Sequence, residues 1–378
     1  MANHYLDWNA TAPLASAARA AWLAAYDQSW ANPGSVHAPG QRARHSVDQA
    51  KASCARLLGC KSHELVVTSG GTEANALAIH SATFGQSLAA DAVLMSAIEH
   101  SSVQRNGETV SAVRLPVDVC GRLAADTVRA AASPTTRLLC VQFANNEIGV
   151  CQDVPALVAA VRAVAPQARV LLDCAQGAGK APLNLAALDV DFASIAGHKF
   201  GAPKGIGLLY VKNGIRIAPL LFGGKQQQDR RSGTEDVAGL TALQAALESA
   251  LAHGEEESIR QRMLLESAFA RIALVLPKVQ WLAHAAQRLP NTLSIAHPGV
   301  INGALVMRLD LAGVSVSTGS ACMAARGEPS HVIAALGIDL SLAKSVIRVS
   351  IGPDTVAEDL DAFVNAYISE VKAMTAGN

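Results

Sequence analysis

Short apolar runs alternate with stretches of helical spacing through the middle of the chain. Residues 65–68 (Leu-Val-Val-Thr) read as a strand, and 73–81 as the helix that follows it. The runs at 92–95, 137–141, 169–172, 192–196 and 205–211 read as further strands, and a helix over 155–164 fills one interval. Strands rich in Val and Leu suit a sheet covered on both faces, and the intervening helices supply the crossovers of a mostly parallel sheet. A helical pattern over 237–253 ends at Gly254 and the acidic run Glu255-Glu256-Glu257, the clearest break in the chain. Beyond it lie a helix over 259–276, strands near 291–296 and 314–317, and a last helix over 356–373. The expected organisation is a large α/β domain followed by a smaller α+β one.

Composition narrows the class. Half of the 378 residues are hydrophobic and 16% are charged, which fits a compact enzyme and excludes a disordered chain. Lys plus Arg and Asp plus Glu both number 31, so net charge gives no pull toward nucleic acid or an acidic membrane. No uncharged apolar run reaches membrane-spanning length. Asp7 interrupts the short apolar start, so no export signal is expected and the reducing cytoplasm is the expected compartment. The seven cysteines lack the paired spacing of a zinc site, and no metal is expected. Cys54 falls in a helical pattern, and Cys140 and Cys174 in or beside apolar strands, as core residues do.

Ligands of open α/β sheets bind beyond the carboxyl ends of the strands, and three clusters fall there. Ser69-Gly70-Gly71-Thr72-Glu73 joins a strand to a helix. Its glycines allow a tight turn, and the helix N-terminus offers free N–H groups to an anion such as phosphate. An ordinary turn with Thr72 as helix cap has the same signature. Asp173 ends an apolar strand, with Gln176 three residues on. A carboxylate there needs a cationic partner, either a pyridinium nitrogen or a structural Lys or Arg. Gly197-His198-Lys199 follows the strand at 192–196. A lysine held dry among small residues gives up its proton readily and can form a Schiff base, a role Lys204 could fill on chemistry alone.

Two further positions stand out. His100 follows another strand and suits ring stacking, proton transfer or plain packing. The stretch 317–327 sets one thiol, Cys322, among small residues with neither helical nor strand spacing. That setting suits a nucleophile that must reach a substrate and then withdraw.

In order along the chain, these pieces resemble the class-V, fold-type-I pyridoxal-phosphate enzymes, specifically the cysteine desulfurases of iron–sulfur cluster assembly and nitrogen fixation. The likeness spans nearly the whole sequence. It rests on Tyr5-Leu6-Asp7 with Asn9-Ala10-Thr11, Asn32-Pro33, residues 69–73, Glu99-His100, residues 145–149 (Asn-Asn-Glu-Ile-Gly) and 173–176 (Asp-Cys-Ala-Gln). It continues through Gly197-His198-Lys199, residues 231–234 (Arg-Ser-Gly-Thr), residues 319–322 (Gly-Ser-Ala-Cys) and Arg348.

The resemblance implies a large cofactor-binding domain over 14–254, and a small domain of 1–13 plus 255–378 that carries the Cys322 loop. Lys199 would hold pyridoxal 5′-phosphate in Schiff-base linkage. Asp173 would pair with the pyridinium nitrogen, His100 would stack on the ring, and Gln176 would bond its phenolic oxygen. Gly71, Thr72 and His198 would hold the phosphate, with Thr234 supplied by the other subunit of a homodimer. Arg348 would grip the carboxylate of L-cysteine, assisted by Asn32 and by Asn146, which also touches the cofactor. Lys199 would remove the α-proton and Cys322 would take the sulfur, leaving alanine and a persulfide. That persulfide would pass to a sulfur acceptor or iron–sulfur scaffold protein. The loop over 317–329, ahead of a helix begun at Ser330, has the long form of enzymes that donate directly to a scaffold.

Two departures and three rivals belong beside this expectation. Ala196 stands where many relatives carry a phosphate-bonding serine, and Lys225 and Gln227 replace a glycine and an acidic or histidine residue within 223–228. The same fold serves selenocysteine lyases, which typically carry a shorter loop. It also serves class-V aminotransferases, which have no need of a thiol at Cys322. A non-catalytic sulfur-relay scaffold would have no use for Lys199, Asp173 and His100.

Overall fold

The computed structural model describes residues 4–252, 254–318 and 329–376. The chain enters through β1 (His4–Tyr5). It then lays down the seven strands of its main sheet: β2 (Leu65–Thr68), β3 (Val93–Ser96), β4 (Val113–Leu115), β5 (Leu138–Gln142), β6 (Arg169–Asp173), β7 (Phe192–Ala196) and β8 (Gly207–Val211). Their spatial order is β2-β8-β7-β6-β5-β3-β4. All pairings are parallel except those of β8, which runs antiparallel to β2 and to β7. The mostly parallel sheet is as expected. The reversal follows from chain length, because the turn from Ala196 to Gly207 is too short for a parallel crossover.

Alternate side chains of these strands feed two apolar layers. Leu65, Val67, Leu139 and Val141 point to one side, covered by α1 (Ser16–Gln28), α2 (Ala38–Leu58) and the helices Val154–Val164 and Val237–Leu251. Val66, Leu138, Cys140 and Leu171 point to the other, covered by α3 (Gly71–Thr83). Burial on both faces is why the strands read as unbroken apolar runs.

A second core gathers Leu6 with apolar side chains drawn from 265–371. Here β9 (Gln280–Trp281), β10 (Thr292–Ala296) and β12 (Ile347–Ser350) form an antiparallel sheet, while β1 pairs parallel with β11 (Val314–Ser315). The helix Gly254–Val275 takes Glu255, Glu256 and Glu257 into its first turn, where acidic side chains suit the helix dipole. His253, the expected last residue of the preceding helix, lies outside the described residues, and that helix is described over Val237–Leu251. Among the described residues no helix is long and apolar enough to cross a membrane.

Candidate active site

The parallel strands deliver their carboxyl ends to one place. After β2 the chain turns at Gly70, whose φ of 149° is open to glycine and rarely to other residues. The helix α3 starts at Gly71, and no side chain caps it at Gly70. Thr72 sits inside the first turn and not at the cap, so the leading amides of α3 stay available to an anion. Glu73 braces the turn: its carboxylate accepts from Ser69 N (2.7 Å) and from Arg231 Nε and Nη2 (2.8 and 3.2 Å). Burial opposes ionisation of Glu73, yet these bonds hold its carboxyl below the usual range.

At the end of β6, Asp173 is 5% exposed. Its oxygens accept from Ala175 N and Asn75 Nδ2, both at 2.9 Å, and no Lys or Arg forms an ion pair with it among the described residues. Asn75 also donates to Ser102 Oγ (2.9 Å), which lies 2.8 Å from His100 Nδ1. A hydrogen-bonded chain thus runs from Asp173 to the imidazole. His100 caps the helix α4 (Ser101–Glu108), accepting from Ser102 N at 3.1 Å. Its ring is open to the cavity, but the surrounding protein desolvates it. That lowers its pKa, with Lys199 adding and Asp173 opposing. Beneath lies fully buried Glu99, whose carboxyl burial and the nearby Asp173 charge push well above its ordinary range.

Lys199 follows β7 in a single 3₁₀ turn, Gly197–Lys199. Its Nζ donates to the carbonyls of Asn9 (2.7 Å) and Ala10 (2.9 Å). Burial, then the Arg348 charge, bring its pKa down to about 8 against the pull of Asp173 and Asp7. Burial and the nearby lysines take His198 down to about 4, and its Nδ1 lies 3.2 Å from Thr11 Oγ1.

Lys199, His198, Asp173, Gln176, His100, Asn146, Gly71 and Thr72 all line one cavity of about 270 Å³. Lys204 is not on its wall. Asn146 is presented by an Asx turn, in which buried Asn145 Oδ1 accepts from Glu147 N (2.8 Å) and Ile148 N (3.0 Å). Ala196 also lines the cavity, its methyl 3.3 Å from where a side chain at Gly71 would begin, so at that contact it brings bulk and no donor.

Other expected residues lie elsewhere. Arg348 is 3% exposed and stands behind the cavity wall, its guanidinium bonded to Asp7 Oδ1 (2.5 Å) and Asn146 O (3.1 Å). Its Nε has no partner among the described residues. Asn32 lines a separate polar recess of about 790 Å³, with Arg44, Lys51, Lys225 and Glu235, and Thr234 is exposed beside Glu235. Within 223–228, the Gln227 amide pairs in both directions with the Val67 backbone (2.6 and 2.9 Å), capping edge strand β2.

Cys322 and the rest of 319–328 lie outside the described residues. The flanks are described: Ser317 pairs with the Arg348 backbone, and Ser330 Oγ donates to Glu147 Oε2 at 2.5 Å while capping the helix His331–Ala335. The chain thus leaves and rejoins the described structure beside the Arg348–Asn146 pair.

Three site residues were not singled out from the sequence: Asn75, Lys180 and, as a side chain, Asn9. Asn9 is 1% exposed and bonds Asn146 O, Thr292 Oγ1, Lys180 Nζ and Asn291 Nδ2 through its amide alone. Only its place in a recognisable motif could have marked it.

A model of the family described as "Aminotransferase class-V" matches residues 4–363. The chain belongs to the class-V aminotransferase family. This family member is 34% identical over 366 residues to the cysteine desulfurase IscS of Dictyoglomus turgidum, covering 94% of this chain and 91% of the relative. It is 37% identical over 389 residues to the cysteine desulfurase of Cereibacter sphaeroides, covering 98% and 97%. Among solved structures, a NifS-like protein superposes with a TM-score of 0.91 at 27% identity, covering 98% of this chain and all of the other. The class-V fold-type-I architecture is therefore that of the cysteine desulfurases.

Proposed function

We propose that this class-V enzyme is a pyridoxal-phosphate-dependent cysteine desulfurase, converting L-cysteine to L-alanine with transfer of sulfur to Cys322. The observation that carries the reading is the meeting of the Lys199 amine, the buried Asp173 carboxylate and the uncapped start of α3 on one cavity. The residues fit the cofactor. A buried carboxylate with no Lys or Arg ion pair among the described residues suits a pyridinium N–H, and a helix start beside neutral His198 suits a phosphate. A lysine with a pKa of about 8 suits a carbonyl. When bound, the cofactor supplies an electron sink for the substrate's α-carbon.

The protein does the rest. Lys199 Nζ would serve as the base that takes the α-proton. We assign the substrate carboxylate to Asn146, on the cavity wall, and to Arg348, which lies directly behind it and is bonded to the Asn146 carbonyl. His100 would pack on the cofactor ring and Gln176 would hold its phenolic oxygen, since both line the cavity. The Cys322 thiolate attacks the substrate sulfur; a sulfur–sulfur bond forms as the carbon–sulfur bond breaks. Overall, one Cys322 thiol and one L-cysteine give one Cys322 persulfide and one L-alanine, with no outside oxidant.

We assign 14–254 to the domain that holds the cofactor, and 1–13 with 255–378 to the one that brings Cys322. Thr234 and Asn32, exposed in a single chain, suit a homodimer in which Thr234 reaches the partner's phosphate site. The persulfide passes to a sulfur acceptor of iron–sulfur assembly. The described cysteines are all free, which suits a reducing cytoplasm.

The test is an amino-acid screen with alanine detection under reducing conditions. Equal alanine and sulfide are expected from L-cysteine. Cys322→Ser is expected to lose both while remaining yellow. A wild-type protein that yields no alanine from cysteine, or a Cys322→Ser variant as fast as wild type, overturns the reading.

A further inference from the structure

Resting on that reading, we infer that Lys180 is a positioning residue that fixes the amide of Gln176 and thereby sets the proton affinity of the bound cofactor's phenolic oxygen. Lys180 Nζ donates to Gln176 Oε1 at 2.5 Å and to Asn9 Oδ1 at 2.7 Å. It has no carboxylate partner among the described residues. Gln176 Nε2 donates to Asn9 O at 3.0 Å. The Asn9 carbonyl can only accept, so the NH₂ end of Gln176 must face it, and Lys180 takes the other end. The second N–H of Gln176 then has no protein partner among the described bonds, on a residue that lines the cavity.

Burial first, and then the charges of Lys199 and Arg348, push Lys180 well below the ordinary lysine range. Its Nζ donates to two acceptors, one of them Gln176. Without Lys180, Gln176 Oε1 is left beneath the cavity with no donor, whereas Asn9 Oδ1 still accepts from Asn291 Nδ2 at 3.0 Å. The loss therefore falls on Gln176. A donor aimed at an anionic oxygen favours its ionised form, so a displaced amide raises that oxygen's affinity for a proton.

The experiment is a pH titration of the visible absorbance of the pyridoxal-phosphate holoenzyme, in wild type, K180M, Q176M and the double variant. K180M is expected to raise the midpoint by about one pH unit, the size of one lost hydrogen bond to a charged group. In the Q176M background, K180M is expected to add no further shift. A lysine that merely supports the fold would lower thermal stability in both backgrounds and leave the midpoint in place. Should K180M not fold, K180Q, whose amide cannot bridge both acceptors, is read in the same way. An unchanged midpoint, or an equal shift with and without Gln176, overturns the inference alone. A wild-type protein that takes up no pyridoxal phosphate overturns the functional reading beneath it.

Discussion

The backbone carbonyl of Asn9 accepts the Lys199 amine at 2.7 Å, although the two residues are 190 positions apart. Asn9 follows Leu6, which is packed in the second core, whereas Lys199 follows a strand of the main sheet. The position of the amine therefore depends on contact between the two cores. Carbonyls accept from a neutral amine as well as from an ammonium, so they aim Nζ without requiring its charge.

The first consequence is a pH profile. With its pKa at about 8, Lys199 becomes an increasingly free amine as pH rises through that value. Capture of pyridoxal phosphate by the apoprotein, followed by stopped-flow absorbance, should accelerate with a midpoint near pH 8 and level off above it. Lys199→Ala should leave no borohydride-fixed cofactor. A midpoint near the ordinary 10.5 would show that the amine is not desolvated as described.

Asn9→Ala removes four side-chain hydrogen bonds from a buried position and strands the groups that made them. The expected cost is about 2–4 kcal/mol of unfolding free energy. Urea denaturation of the apoprotein measures it, and a loss below roughly 0.5 kcal/mol would remove Asn9 from its central place.

The strands were legible because burial on both faces leaves unbroken apolar runs, as at Leu65–Thr68 and Leu138–Gln142. The strand Val113–Leu115 was not, since it lies at the sheet edge and exposes two of its three residues. Helix α3 begins at Gly71, two residues before its sequence pattern, because glycine reads as a turn even where it opens a helix. Lys199, Asp173 and His100 were found as residues that follow strands. Lys180 and Asn9 were not: they meet across 171 positions, and nothing local marks a polar pair that only folding brings together.

Glu147 makes stability depend on pH. Burial raises its carboxyl to about 7, with Ser330 and Arg348 opposing, against an ordinary value of 4.5. Between those values the folded state holds a proton that the unfolded state has released, so stability must fall as pH rises from about 4.5 to about 7. Glu147→Gln keeps an acceptor for Ser330 and removes the titration. Its stability relative to wild type should therefore improve across that window, by up to roughly 3 kcal/mol. Denaturation midpoints of both proteins at several pH values decide it; parallel curves would mean that Glu147 is charged in the fold.

Arg348→Lys tests the substrate end of the site. The guanidinium spans Asp7 and Asn146 at once, whereas an ammonium is a point charge on a flexible stem and cannot hold that fork. The substrate carboxylate should be held less well in ground and transition states alike. The rise should then appear in KM, about 10- to 100-fold for L-cysteine, with kcat changing less. Because lysine keeps the positive charge that helps hold the Lys199 pKa down, cofactor uptake and its absorbance should stay close to wild type. A normal KM with a collapsed kcat would place Arg348 in the chemistry of sulfur transfer, through the Ser317 bridge at the start of the Cys322 segment, and not in substrate binding.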